Sequence, residues 1–340
     1  MSDSGQYFAG LDVGGTTIKA ILVDGAGEQV GDYVEVRSHA SEGYRRTFEQ
    51  LQEGLKLLCE QGGITEESVG GIGLDVPAPC SKGVIWGKAN LSADWVGVNI
   101  RDEFGEEVGK KVWMTNDGNA AALGEYLLRA DRLDSGLLFV APGTGLGGGL
   151  VLPGGGLYEG ARGLAMEVGD MSLPFLEEGR LPVDGRGREG CLEAWVSLIA
   201  IRRQLQIALS ADEYQEHPLN EGDAPIEEKA FQLRDYAEKG DALATEIFQD
   251  QAFKLGHALG DLASLLDPGL IVIGGGLAET GFRDWYMEAV KKGFQSRAMD
   301  SFQKSPLPPH EETTLFEWAI GGDGAAAFGM ARKAQEVFGK

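Results

Sequence analysis

Apolar runs broken by glycine-rich polar turns dominate the hydropathy pattern of this chain and predict its first elements. Phe8-Ala9-Gly10-Leu11-Asp12-Val13 reads as a strand, Gly14-Gly15-Thr16 as a polar turn, and the run from Thr17 to Val23 as a second strand. The same order returns at Leu137-Leu138-Phe139-Val140, Gly143-Thr144-Gly145-Leu146-Gly147-Gly148-Gly149 and Leu150-Val151-Leu152. After the turn at Asp24-Gly25-Ala26-Gly27, Glu28 to Arg37 alternates as a third strand. Tyr44 to Cys59 carries Phe48, Leu51, Leu55, Leu58 and Cys59 at helical spacing, which predicts an amphipathic helix. Val69 to Val76 is a short buried strand ended by Pro77 and Pro79. Val112 to Thr115 is another, running into Asn116-Asp117-Gly118-Asn119 and a helix from Ala120 to Ala130. The order β-β-β-α-β, then β-α, implies a mixed α/β sheet covered by helices.

The second half begins at the second glycine-rich turn. A polar, irregular stretch from Glu167 to Gly190 precedes a helix from Leu192 to about Leu209 and an acidic loop from Asp212 to Glu228. Helical patterns then occupy Lys229 to Lys239 and Ala242 to Leu266. Gly260 costs the second of these about 1 kcal/mol against alanine unless a neighbour packs closely there. Asp267-Pro268-Gly269 stops that helix. Leu270-Ile271-Val272-Ile273 is a buried strand, Gly274-Gly275-Gly276 a turn, and a helix follows near Phe282. Gly321-Gly322-Asp323-Gly324 precedes an alanine-rich terminal helix expected to fold back onto the first half.

With 340 residues there is room for two domains with separate cores. A content of 43% apolar and 24% charged residues is that of an ordinary soluble protein. The net charge of −23 opposes affinity for a nucleic-acid backbone or anionic lipid, which discounts nucleic acid and membrane partners. Any anionic nucleotide must then meet a locally positive site built from helix N-termini, backbone nests and Mg2+. Cys59, Cys80 and Cys191 are odd in number and widely spaced, which fits free thiols in a reducing compartment and offers no metal-ligand pair. The N-terminal residues lack a signal peptide's basic stretch and apolar run, and no apolar run has the length of a membrane span, so a cytoplasmic location is expected.

The two glycine turns have the composition of phosphate loops: glycines let backbone N–H groups converge into a nest, and threonine hydroxyls add donors. Each alone is equally served by a tight hairpin. Their repetition suggests a cleft between two related halves. Asp117 is the candidate general base, since it sits where a strand meets a helix N-terminus, the edge of an α/β sheet at which ligands gather. Asp117 or Asn119 is alternatively the helix cap; both roles fit if Asn119 caps and Asp117 faces the ligand. Glu167 and Glu193 lie beside glycine in irregular chain and are candidate acceptors for a neutral polyol, whose hydroxyls bind most strongly to ionised acceptors. Surface acids are the ordinary alternative among 53 Asp and Glu residues.

Asp12-Val13-Gly14-Gly15-Thr16, Asn116-Asp117-Gly118-Asn119-Ala120, Gly143-Thr144-Gly145-Leu146-Gly147-Gly148-Gly149, Glu167-Val168-Gly169, Gly187-Arg188-Glu189-Gly190-Cys191-Leu192-Glu193 and Ile271-Val272-Ile273-Gly274-Gly275-Gly276 together resemble, in order, the motifs of the ROK family of sugar kinases and repressors. The resemblance spans almost the whole chain. It implies a duplicated ribonuclease-H-like fold of the actin, hexokinase and Hsp70 type. Two lobes are expected, residues 1–123 with 321–340 and residues 124–320, with MgATP in the interdomain cleft and a hexose hydroxyl as acceptor. Many members are glucokinases; others act on fructose, allose, N-acetylmannosamine or N-acetylglucosamine. Carried over by position, Asp117 is implied to be the base and Asp12 to orient Mg2+ through water. Gly14, Gly15, Thr16 and Thr17, with Lys19, are implied to approach the β- and γ-phosphates. Gly143, Thr144 and Gly145 form the second phosphate loop, and Gly274, Gly275 and Gly276 the turn that adenosine packs against. Asn90, Asn116, Glu167, Asp170 and Glu193 are implied to contact the sugar. A homodimer is also implied.

The departures are informative. Family members carry a histidine after Glu-x-Gly, touching sugar and a structural zinc, and then Cys-x-Cys-Gly. This chain has Asp170 at the histidine position and Asp184-Gly185-Arg186 in place of the cysteines, keeping Cys191 alone. One thiol among carboxylates is a poor tetrahedral zinc site, so no structural zinc is expected and the loop must be held otherwise. The lost imidazole leaves the identity of the hexose open. A sugar-responsive repressor, the other class in the family, needs a DNA-binding module for which the residues before Asp12 are too few. A binding protein without catalysis is opposed by the retained Asp117 and both loops.

Overall fold

The computed structural model describes residues 6–88 and 91–339, so Asn90 lies outside the described residues. The chain divides into two compact units: residues 1–139, 149–166 and 320–340 form one, and residues 140–148 and 167–319 the other. Residues 124–139 and 149–166 thus pack with the first unit.

The first unit is built on β1 (Tyr7–Val13), β2 (Thr17–Val23), β3 (Val34–Arg37), α1 (Tyr44–Gly62) and β4 (Val69–Val76). The short strands β5 (Cys80–Ser81) and β6 (Val84–Ile85) follow, then α2 (Ile100–Val108), β7 (Val112–Asn116) and α3 (Asp117–Leu127). Its main sheet has the order β3-β2-β1-β4-β7. β1 to β3 are antiparallel neighbours, and β4 and β7 run parallel to β1. Alternation sends Ala9, Leu11, Val13, Ile18, Ala20, Leu22, Ile72, Leu74 and Val76 into one core with Phe48, Leu51, Leu55 and Leu58 of α1. The expected third strand is confined to Val34–Arg37; Gln29 makes an isolated bridge to Val23, and residues 31–33 form an exposed turn.

The opposite face carries the C-terminal helix, which spans Ala325–Phe338. Phe8, Ile21 and Val23 pack on its Ala327, Ala331 and Ala334. Gly10 and Gly73, paired across β1 and β4, lie directly beneath it: a Cβ at Gly10 would fall 1.8 Å from the Ala327 carbonyl oxygen, and one at Gly73 2.0 Å from that of Met330. Small residues at these positions let helix backbone rest on strand backbone. The return of the terminal helix onto the first half is as expected from sequence. Its lead-in is fixed by the buried Glu125 of α3, which accepts from the backbone N–H groups of Ile320 (3.0 Å) and Gly321 (2.8 Å) and pairs with the fully buried Arg129.

β8 (Leu137–Pro142) and β9 (Leu146–Val151) carry the chain across the division between the units. The second unit then contains α4 (Leu198–Leu209), α5 (Ile226–Glu238), α6 (Ala242–Leu266), β10 (Leu270–Ile273), α7 (Arg283–Gln295), the one-turn α8 (Asp300–Gln303) and β11 (Leu315–Trp318), so that the terminal helix is α9. The four-stranded sheet runs β11-β10-β8-β9. α6 and α7 meet through Gly256 and Gly293, where a Cβ would lie 1.8 and 2.0 Å from carbonyl oxygens of the facing helix, and Gly260 meets the backbone N of Ala298. The close neighbour that excuses a glycine in α6 is therefore present. The helix expected from Leu192 is broken: Leu192–Ala194 forms a single tight turn, and Ser197 caps a separate α4 by accepting from Ala200 N at 3.1 Å.

Candidate active site

Strand register places four polar residues side by side across the first sheet. Lys19 of β2 pairs with Asp12 of β1, Asp12 with Asp75 of β4, and Asp75 with Thr115 of β7. Cα partners share a face, so this row lies on the α9 side, two residues beyond Gly10 and Gly73 at the carboxyl ends of the parallel strands. Asp75 is fully buried, and its polar neighbour is the Asp12 carboxyl, with which it shares a hydrogen bond that needs a proton on one of the two. Burial pushes Asp75 well above the usual carboxylate range, with the charges of Asp12 and then Asp117 adding to it. Burial raises Asp12 as well, opposed by its hydrogen bonding to Asp75 and the charge of Lys19. The Lys19 ammonium is held 2.8 Å from the Asp323 carboxylate. Sequence reasoning missed Asp75; the signal was a lone acid inside the otherwise apolar run of a buried strand.

Asp117 is the first residue of α3. The cap is Asn116, whose side chain accepts from Asn119 N at 3.0 Å, while the buried Asn119 donates to Thr115 Oγ1 at 3.2 Å. The expectation that Asn119 caps is therefore corrected by one turn position: Asn116 is the residue with extended backbone, where a cap must sit. Capping uses Asn116 Oδ1 and leaves its amide nitrogen for other partners. Asp117 reaches solvent and accepts from Gly118 N at 2.8 Å. Its surroundings still strip hydration from the carboxylate and raise its pKa to about 6, with the Gly118 N–H pulling it down and the Asp12 charge pushing it up.

Both glycine loops are tight turns with open sides. Gly14 N donates to Thr17 O at 2.8 Å, closing the β1–β2 hairpin, and Gly15 and Thr16 are exposed. In the second unit Gly143 N donates to Gly145 O, and the first residue of α4, Leu198, donates to Gly143 O, both at 2.9 Å. Gly274 N donates to Val140 O at 2.8 Å, which sets the Gly274–Gly276 turn against the end of β8. Gly275 has φ +74 there, a conformation glycine adopts without strain. Glu193 accepts from Leu146 N at 3.0 Å and lies so close to Gly145 that a Cβ would meet its Oε2 at 2.5 Å. One oxygen of this predicted sugar ligand thus holds the second loop in shape. Glu167 precedes a tight turn at Val168–Asp170, in which Asp170 N donates to Glu167 O at 3.0 Å.

The stretch where the resemblance leads one to look for zinc ligands is clasped by ion pairs. Asp170 is paired with the guanidinium groups of both Arg186 and Arg188. Arg188 also grips Asp184 Oδ2 through Nε (2.9 Å) and a terminal nitrogen (2.7 Å), and Asp184 Oδ1 accepts from Arg186 N and Arg188 N. Those backbone and guanidinium donors outweigh burial and hold Asp184 well below the usual carboxylate range. Asp170 is lowered by the same two arginines. Guanidinium–carboxylate pairs join three points of the loop, the geometric task a tetrahedral ion performs elsewhere. Among the described residues, no group of three or more His, Cys, Asp or Glu side chains is gathered to hold a metal. Mg2+ makes lighter demands, needing oxygen donors from one or two carboxylates and completing its shell with water and phosphate. The Asp12 carboxyl, half-buried at the end of β1 with Asp75 in register beside it, fits that donor set.

The fold is that of sugar kinases built on the actin-like scaffold. The chain belongs to the ROK family, whose profile matches residues 8–337. It is 31% identical to a glucokinase of Halalkalibacterium halodurans over 88% of each chain. An N-acetylmannosamine kinase of Haemophilus influenzae is 27% identical over 84% of each chain, and a xylose repressor of Caldicellulosiruptor bescii is 24% identical over 85% of this chain and 70% of its own length. Among solved structures, a ROK hexokinase from Thermus thermophilus superposes with a TM-score of 0.75 at 30% identity, covering 98% of this chain and 99% of that one. A ROK glucokinase from Streptomyces griseus, in complex with glucose and AMPPNP, does so with a TM-score of 0.74 at 26% identity, covering 97% and 99%. No helix among the described residues is long and apolar enough to cross a membrane.

Proposed function

We propose that this protein transfers the γ-phosphoryl group of ATP to a hexose hydroxyl, with glucose giving glucose 6-phosphate as the leading reaction. In this reading the Asp117 carboxylate takes the hydroxyl proton as the sugar oxygen bonds to the γ-phosphorus and the bridging bond to ADP breaks. The observation that carries it is Asp117 itself: an ionisable, solvent-reaching carboxylate at the first residue of α3, raised by desolvation to a pKa of about 6 against the pull of the Gly118 N–H, where it accepts a proton at neutral pH. The Gly14–Gly15 turn, with the backbone N–H of Gly15, the hydroxyls of Thr16 and Thr17, and Lys19 are assigned to the β- and γ-phosphates. Gly143, Thr144 and Gly145 are assigned as the second phosphate loop, and Gly274, Gly275 and Gly276 to adenosine. Mg2+, oriented through Asp12, supplies neutralisation of phosphate charge when bound. Asn90, Asn116, Glu167 and Glu193 are assigned to the sugar. Asp170 joins them only by giving up part of its pairing with Arg186 and Arg188, which gives this chain a different polar lining from one with histidine there.

A coupled ADP-release screen over glucose, fructose, allose, mannose and N-acetylhexosamines with MgATP tests the reading. Turnover on glucose above the others is expected. Preference for an N-acetylhexosamine would move the substrate assignment, and no turnover on any sugar would refute the kinase reading. Homodimer formation belongs to the same proposal and is checked by light scattering.

A further inference from the structure

Proton transfer to Asp117 depends on where its carboxylate is aimed, and an acid distant in sequence holds the junction that carries it. Past β9 the chain reverses tightly: Leu152 N donates to Gly156 O and Tyr158 N to Leu150 O, both at 2.8 Å, with Gly154 and Gly155 at φ +89 and +88. β9 itself rests on the first turn of α3, where a Cβ at Gly149 would fall 2.5 Å from Gly118 O and 3.0 Å from Asn119 Cα. The reversal returns the half-buried Glu159 to the β7–α3 junction, and its Oε1 accepts from the buried Thr115 hydroxyl at 2.9 Å. Thr115, Asn119, Gly149 and Glu159 all belong to the first unit.

This bond sets a direction of donation. An ionised carboxylate only accepts, so the one Thr115 proton is committed to Glu159, and Thr115 Oγ1 accepts from the Asn119 amide 3.2 Å away. Asn119 Oδ1 is buried without a partner, so the Thr115 bond is what orients that amide. Asn119 N donates to Asn116 Oδ1 at 3.0 Å, closing the cap from which Asp117 follows directly. Without Glu159, the Thr115 hydroxyl either stays unpaired or turns to Asp75, its register partner on β4, and the acceptor of the Asn119 amide turns with it. From this network we infer that Glu159 is a positioning residue for phosphoryl transfer, aiming the Asp117 carboxylate through Thr115 and Asn119 without touching sugar or nucleotide. The inference rests on the kinase reading for the role of Asp117. Glu159 works by geometry; the acid whose charge bears on Asp117 is Asp12.

Steady-state kinetics of the full chain test this for wild type, Glu159→Gln, Glu159→Leu, Thr115→Ser, Thr115→Val and the double variant Thr115→Val/Glu159→Leu, with each rate taken per folded molecule from circular dichroism. Glu159→Leu and Thr115→Val should each lower kcat about 10- to 100-fold, the scale of a misplaced reacting group, and leave KM for MgATP unchanged. Glu159→Gln keeps an acceptor oxygen and Thr115→Ser keeps the hydroxyl, so both should retain most of the wild-type turnover. The double variant should lose no more than Thr115→Val alone, because the two residues act along one path. Glu159→Gln should also leave the acid limb of the pH profile in place. Wild-type kcat in Glu159→Leu, losses that multiply in the double variant, or a Glu159→Gln that is as impaired as Glu159→Leu or moves the acid limb would overturn the inference while sugar phosphorylation by wild type stands. If Glu159→Leu does not fold, Thr115→Val and Glu159→Gln decide the matter by the same criteria. A wild type that phosphorylates no sugar refutes the kinase reading, and the inference falls with it.

Discussion

The pH dependence of sugar phosphorylation is the sharpest consequence of where Asp117 lies. A general base works as the carboxylate, so activity follows the ionised fraction and falls as the pH drops through the pKa. With a pKa of about 6, roughly 90% of Asp117 is ionised at pH 7 and roughly 10% at pH 5. The expected loss in kcat/KM for the sugar is therefore about tenfold over those two units. At the ordinary value of 3.8, about 94% would remain ionised at pH 5 and the loss would be under about 10%. The assay is initial-rate ADP release from pH 4.5 to 8.5 at saturating ATP and excess Mg2+, so that nucleotide protonation does not shape the curve. Asp117→Ala supplies the control: kcat should fall about 10²- to 10⁴-fold, with sugar affinity less affected. A flat wild-type profile between pH 5 and 7 would refute the raised pKa. Near-wild-type turnover in Asp117→Ala would remove the residue from the mechanism.

Other expectations concern the scaffold. Gly10→Ala drives a methyl group into the Ala327 carbonyl and should cost about 3 kcal/mol in urea unfolding, at the upper end for overpacking, whereas Gly156→Ala, with open space around it, should stay within about 0.5 kcal/mol. Glu125→Ala removes the acceptor of two backbone N–H groups and the buried partner of Arg129, and should lower stability by about 3 to 5 kcal/mol by calorimetry. Asp184→Asn should cost about 2 kcal/mol, the scale of hydrogen bonds to a charged group. Because folding depresses the Asp184 pKa, its stabilisation is present above its unfolded value and lost as the pH falls below that. Wild type should accordingly lose melting temperature between pH 5 and 3 faster than Asp184→Asn does; parallel curves would sink the assignment.

Elements with unambiguous local chemistry were legible in the sequence. β10 is an uninterrupted buried run, β4 is one broken at the half-buried Gly70 and at Asp75, and α6 is bracketed by the capping Asp241 and the left-handed Asp267. The break at Trp195–Ser197 was not legible, because apolar spacing continues through it and only the cap distinguishes two pieces from one helix. α2 was missed although Asn99 caps it and Gly109 closes it; nine residues with two fully buried side chains carry little periodicity. β11 is four residues with no buried side chain, held by its pairing with β10. At the site, the motifs marked Asp12, Asp117 and both loops, since backbone geometry demands glycine and acid at fixed spacing. They did not mark the second duty of Glu193, bracing Leu146, or the row through Asp75 and Thr115, because register between distant strands is not written in any local pattern. The missing cysteines were visible, but the role of Arg186 and Arg188 depends on a chain reversal that brings them to Asp170.

The clasp of Asp170, Arg186, Arg188 and Asp184 changes what this loop depends on. A thiolate-bound ion ties its segment to trace-element supply and to the redox state of its cysteines; guanidinium and carboxylate groups are encoded in the chain and always at hand. The exchange brings a different sensitivity, because the arginines reach solvent and their attraction is screened by dissolved salt. Zinc starvation should leave this segment untouched, and rising osmolarity with its accompanying ions is the stress to which it answers.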